Sequence, residues 1–158
     1  MTLDATDRRI VSLLQEDGGL SIADLADRLG MTPPPCWRRV KALKEQGVLK
    51  RQIWVVDPAA LDLDLEIFAT VKLVAHDPAA TSAFRQKVQE IPEILECYIL
   101  LGGIDVLLKI IVPDIGYYEK FFYETLSQLP AVGEVTSSVV MSEVKRTASL
   151  PLGLPGAG

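Results

Sequence analysis

The residues best suited to chemistry lie between positions 34 and 51. Across residues 32–51, Arg38, Arg39, Lys41, Lys44, Lys50 and Arg51 stand against the single acid Glu45, a local balance of +5, and Trp37 sits among them. Guanidinium and ammonium groups at that density neutralise phosphates, and arginine also reads a guanine edge through two parallel hydrogen bonds. The chain as a whole carries a net charge of -5, but the acid lies elsewhere. Residues 1–57 hold nine basic and eight acidic residues, whereas residues 58–158 hold seven and thirteen. A basic stripe therefore sits on a near-neutral first segment, and the remainder would repel an anion.

Other chemistries find little support. Cys36 and Cys97 are the two cysteines, with no CxxC or Cys/His cluster, so neither a metal, a cofactor nor a disulfide framework is expected. No phosphate loop and no Ser/His/Asp set is present, and the one histidine, His76, reads as a surface or capping residue at a strand end. An enzyme is not expected. The N-terminus lacks the apolar stretch of a signal peptide, and no apolar run approaches the roughly 20 residues that span a bilayer. A cytoplasmic location follows.

Positioning the basic residues requires helices. Asp4 is placed to cap a first helix with Leu3, Ile10, Leu13 and Leu14 at helical spacing, ending at Gly18-Gly19. Ser21 caps a second, with Asp24 in the capping-box position, Ile22, Leu25, Ala26 and Leu29 inward, and Gly30 as its stop. A third runs to Gly47 with Cys36, Val40 and Leu43 inward. Residues preceding proline avoid the helical region, so Pro33 and Pro34 are expected to be extended, the helix to start at Pro35, and Thr32 to be a poor cap.

That arrangement leaves Trp37, Arg38, Lys41, Lys44 and Glu45 outward, with Pro34 and Pro35 at the leading end. Arg39 falls at the edge of the buried stripe, where an ion pair with another helix is an alternative to phosphate contact. Trp37 has two readings, packing on sugar and methyl groups of a duplex or covering a neighbouring helix. For any one cation a solvated helix face is the simpler account. Three short helices with a basic third, followed by a strand over VLKRQIWVVD, favour DNA binding, with the strand as wing or linker.

Beyond residue 64 the elements alternate: strand (LEIFATVKLVAHD), helix (AATSAFRQKVQEI), two strands (ILECYILLG and IDVLLKIIV) parted by Gly102-Gly103, a helix capped by Asp114, and a last strand (VGEVTSSVVMSEVKRT). The order βαββαβ is that of a ferredoxin-like sandwich in the α+β class. The expected division is a (winged) helix-turn-helix domain over 1–50, a linker strand and hinge over 51–63, a ferredoxin-like domain over 64–147, and a Pro/Gly-rich tail over 148–158 that is loose at its tip. Two helices cover one side of the sheet, so the other side invites a homodimer, which would present a pair of recognition helices.

The segments LDATDRRIVSLLQEDGGLSIADLADRLGM, CWRRVKALKEQGVLK, CYILLGGIDVLLKI, DIGYYEKF, LPAV and VKRTASLPL, together with Asp57-Pro58, resemble the leucine-responsive regulator and asparagine-synthase activator (Lrp/AsnC) family over nearly the whole chain. The resemblance implies a DNA-binding transcription regulator whose ferredoxin-like domains assemble into dimers and further, often into octamers. It also implies an amino-acid effector bound between those domains, placed here at Leu101, Gly102, Gly103, Ile104 and Asp105 with Thr136. Where members often carry an acid after the first glycine this chain has Gly103. Asp105 either replaces that acid or ties down the turn. The resemblance to sirohaem decarboxylases is weaker, because their His-Asn-Tyr-x-Arg run is replaced by Glu96-Cys97-Tyr98-Ile99-Leu100. A third reading is an architectural protein that binds DNA broadly without an effector.

Overall fold

The computed structural model describes residues 3–74 and 78–152. His76 and the tip of the tail lie outside the described residues. The chain forms two compact units, one made of the segment up to Trp54 with the stretch from Lys145 onward, the other of Val55–Val144.

The first unit is built on α1 (Ala5–Glu16), α2 (Ile22–Leu29) and α3 (Pro33–Glu45). Asp4 caps α1 by accepting the Asp7 N–H at 2.7 Å, and Ser21 Oγ caps α2 by accepting the Asp24 N–H at 3.1 Å. Gly30 ends α2 in the left-handed region at φ 66, which glycine adopts without a Cβ penalty. The core comprises Ile10, Val11, Leu25, Ala26, Cys36, Val40 and Leu43, with Leu3, Leu13, Leu14, Ile22 and Leu29 packed against it. Val11 escaped the sequence reading because it sits beside the expected stripe.

Helix α3 begins at Pro33, two residues before the expected start. Thr32 makes no side-chain cap, as expected, yet all three prolines are helical. The first intrahelical bond runs from the Cys36 N–H to the Thr32 carbonyl, so Pro33, Pro34 and Pro35 occupy positions whose amides have no partner in any helix. Their fixed φ already matches the helix, and this outweighs the restriction on a residue preceding proline.

The strand expected over residues 48–57 is not formed. A strand needs a ladder partner, and these residues find none among the described residues of one chain. Ile53, Trp54, Val55 and Val56 are instead exposed, Trp54 to 90 %. From Lys145 the chain carries no regular structure among the described residues, and the last strand, expected to reach residue 147, stops at Val139. The C-terminal segment packs on the first unit: Leu150 donates its N–H to Gln15 Oε1 at 2.7 Å, Ser149 Oγ donates to the Gln15 carbonyl at 3.2 Å, and Leu152 lies against the helical core.

The second unit follows the βαββαβ order as β1 (Leu65–Leu73), α4 (Pro78–Gln89), β2 (Ile94–Ile99), β3 (Val106–Val112), α5 (Ile115–Glu124) and β4 (Val132–Val139). Its antiparallel sheet has the order β2-β3-β1-β4. Strand alternation sends Ile67, Ala69 and Val71 of β1 and Val106, Leu108, Ile110 and Val112 of β3 to one face. There they meet Phe84 and Val88 of α4 and Tyr118 and Phe121 of α5. Tyr118 is seated by a 2.6 Å hydrogen bond with Ser137 Oγ on β4. The opposite face carries Phe68, Thr70, Tyr98, Leu107, Lys109, Thr136 and Ser138, consistent with the strand registers.

Candidate nucleic-acid interface

The seam of Cys36, Val40 and Leu43 fixes the rotation of α3 and so decides which side chains face away from the core. Pro34, Trp37, Arg38, Lys41 and Lys44 are exposed, and their spacing of three or four residues lines them along one side of the helix. Pro35 is half-buried beside the seam. Lys41 Nζ stands 5.3 Å from the Trp37 ring centroid and 3.7 Å from Glu45 Oε1, both exposed contacts of modest strength. Arg38 and Lys44 make no ion pair among the described residues. A row of cations thus flanks one indole, with two prolines leading.

Arg39 behaves differently. Its Nη1 donates to Asp4 Oδ2 at 2.6 Å and to Asp7 Oδ1 at 2.7 Å, so the expected ion pair with another helix is present. The Asp7 N–H and, after it, the Arg39 guanidinium hold the Asp4 carboxyl below its usual range, and the two carboxylates push Arg39 further up. A guanidinium committed to the cap Asp4 and to Asp7 in the first turn of α1 ties α3 to that helix. Arg51 is exposed and follows the end of α3 in the chain. Cys36 is fully buried, and burial raises its thiol, so it packs as a small apolar group.

The hairpin loop between β2 and β3 holds the residues that the sequence assigns to an effector. Leu101, Gly102 and Gly103 are exposed, and a Cβ built at either glycine would meet nothing within 4 Å. Asp105 anchors the loop: its N–H bonds the Val71 carbonyl at 3.2 Å, its carbonyl accepts the Leu100 N–H at 2.8 Å, and its Oδ2 accepts the Leu73 N–H at 2.8 Å. That last bond falls where the β1–β4 register shifts between Lys72 and Leu73. Asp105 thus ties the loop to β1 through both its backbone and its carboxylate. Thr136 lies on β4, paired with Thr70 of β1, at the opposite edge of the sheet from β2.

Sequence reasoning missed Lys109. It is 7 % exposed on the sheet face away from the helices, 3.1 Å from Glu66 Oε2 and 5.8 Å from the Phe68 ring centroid. A lysine inside the apolar run LLKIIV, facing a glutamate on the neighbouring strand, was the available signal. Among the described residues no group of three or more His, Cys, Asp or Glu is placed to hold a metal. No described helix is long and apolar enough to cross a membrane.

A short helical head with an outward basic helix, followed by a four-stranded α+β domain, defines a helix-turn-helix DNA-binding protein. Comparison with known proteins gives the family. Residues 3–50 match a winged helix-turn-helix DNA-binding family and residues 66–150 the Lrp/AsnC ligand binding domain. The leucine-responsive regulatory proteins of Escherichia coli K12 and Klebsiella pneumoniae are 39% identical over 148 residues, which is 94% of this chain and 90% of theirs. A transcriptional regulator of Neisseria meningitidis, solved with L-methionine, superposes with a TM-score of 0.92 at 35% identity, covering 96% of this chain and 98% of that one. An AsnC family regulator from Agrobacterium tumefaciens gives 0.89 at 35% identity, covering 95% and 97%. The chain belongs to the Lrp/AsnC family: it is a DNA-binding transcription regulator, not an enzyme.

Proposed function

We propose that this regulator reads a specific DNA site through the exposed row of α3, with Pro34, Pro35, Trp37, Arg38, Lys41 and Lys44 at the duplex and Arg51 beside it. The observation that carries this reading is the division of α3 into a seam of Cys36, Val40 and Leu43 and an opposite row of cations. In this reading residues 1–50 are the DNA-binding head, 51–63 a hinge, 64–147 the assembly domain and 148–158 a tail, in a cytoplasmic protein. Arg38→Ala should weaken binding to a selected duplex about fivefold to a hundredfold and relax preference at one base position. Lys41→Ala should weaken all duplexes alike and lower the salt slope by about one. Wild-type affinity in both variants, measured by fluorescence anisotropy, would remove α3 from the interface.

The effector is an amino acid or a similar small molecule, bound between assembly domains of neighbouring protomers at Leu101, Gly102, Gly103, Ile104 and Asp105, with Thr136 contributed from across the interface. The L-methionine complex of the Neisseria meningitidis relative supports this class of ligand. The openness of the loop supports a site shared between copies. Assembly is a homodimer through the sheet face bearing Phe68, Tyr98 and Thr136, associating to an octamer. The exposed apolar run Ile53–Val56 supports further pairing, since a second copy would supply its missing ladder. A thermal-shift screen of the twenty amino acids with solution mass measurement tests both points. A monomer unmoved by every amino acid would leave neither standing.

A further inference from the structure

The leading end of α3 differs from a helix terminus built to hold phosphate. Such an end presents free backbone N–H groups to the anion. Here the first three positions are Pro33, Pro34 and Pro35, which have no N–H, and the next amide, that of Cys36, is turned into the helix toward the Thr32 carbonyl. In place of donors the structure has a shallow hollow lined by Ile22, Pro33, Pro34, Trp37 and Arg38, whose wall is almost entirely carbon. Ile22 comes from the first residue of α2, so the hollow lies in the angle between the two helices of the motif. Lys41 over the Trp37 ring helps to hold the indole that forms one side.

An apolar concavity inside a cationic row needs an occupant that is apolar itself but belongs to an anionic molecule. Among the groups a major groove displays, the C5-methyl of thymine has that character: it is the apolar group that projects from a base edge, beside the hydrogen-bond donors and acceptors. We propose that the hollow of Ile22, Pro33, Pro34 and Trp37 receives a thymine C5-methyl, with Arg38 at its rim reaching the adjacent base or phosphate. The prolines then do two things: they remove amides that a methyl group would leave unsatisfied, and they supply the hydrocarbon that it meets. This assignment rests on the reading of α3 as the recognition helix, and it adds a particular base feature to that reading.

The test uses the full-length protein and a duplex selected by it from a random pool. Thymines are replaced one at a time by deoxyuridine, which removes the methyl and leaves Watson–Crick pairing intact. At one thymine in a half-site the wild-type protein should lose about fourfold in affinity, the factor expected for withdrawing one buried methyl-sized group. Trp37→Ala, at a position 52 % exposed and so compatible with folding, should bind that duplex and its uracil version equally. Trp37→Phe, which keeps an aromatic wall, should restore most of the uracil penalty. The assignment fails if every thymine tolerates uracil. It also fails if the penalty persists unchanged in Trp37→Ala, since the methyl would then act through duplex shape. Failure of the α3 reading itself appears separately, as unchanged affinity in both Arg38→Ala and Lys41→Ala.

Discussion

Helix α3 and the loop between β2 and β3 are both exposed, but they are held in different ways. The outward side chains of α3 stand on a helix whose opposite side is sealed by Cys36, Val40 and Leu43 and clamped to α1 through Arg39. The loop is fixed at its ends by Asp105, while Leu101, Gly102 and Gly103 project into open space. A surface that meets a long, stiff polymer can be complete in one chain, because the polymer supplies the other wall. A pocket that encloses a small molecule needs walls on several sides, and this loop provides one. In the proposed reading a DNA-binding surface on α3 is complete in one chain, and an effector pocket at the loop would have to be closed by a second copy.

The largest way to break this comparison is through the seam. Leu43 is buried at 2 % exposure, and Leu43→Ala should cost about 2–5 kcal/mol in the first unit. Both tryptophans, Trp37 and Trp54, lie in that unit, so urea denaturation followed by tryptophan fluorescence reads it directly. A loss below about 1 kcal/mol would mean that the seam does not fix α3. The loop separates differently. Asp105→Ala strands the Leu73 N–H and should cost about 1–3 kcal/mol in the second unit, with faster hydrogen exchange at the Leu73 amide. Gly103→Ala meets no neighbour and should stay within about 0.5 kcal/mol of wild type. Any loss of effector binding in Gly103→Ala then reports on the site, and a large loss of stability would contradict the open geometry.

The sequence made the two regions legible to different degrees for the same physical reason. Helix caps and seams are local: Asp4, Ser21 and Asp114 each bond an amide three residues on, and Cys36, Val40 and Leu43 repeat with the helical period. The βαββαβ order was readable from alternating runs and turn residues. Features that depend on distant partners were not. The run at 48–57 has strand composition but no partner among the described residues of one chain, so composition overstated it. The start of α3 at Pro33 turned on a balance between pre-proline restriction and unneeded amides, which a propensity argument judged the wrong way. Docking of Leu150 and Leu152 on the helical unit brings together residues more than a hundred positions apart, and no local pattern encodes it.

The smallest expected effect sharpens the contrast between neighbours on α3. Arg38 and Arg39 are adjacent and equally charged, yet among the described residues Arg39 is paired, with Asp4 and Asp7, and Arg38 is not. The Asp7 N–H chiefly, and Arg39 next, lower the Asp4 pKa, so the folded state favours the carboxylate. Its contribution is then fully present above the ordinary carboxylate pKa of about 4 and is lost as pH falls through the lowered folded value. Asp4→Asn should therefore melt slightly below wild type at neutral pH, and the gap should close as the pH falls below about 4. Arg39→Gln should narrow that gap, because the substitution removes one of the partners that lower the Asp4 pKa, whereas Arg38→Gln should leave it untouched. Added salt should shrink it as well, since Asp4 is exposed. Thermal melts across a pH series measure this directly, and an equal response to Arg38→Gln and Arg39→Gln would show that the two arginines do not divide binding from folding.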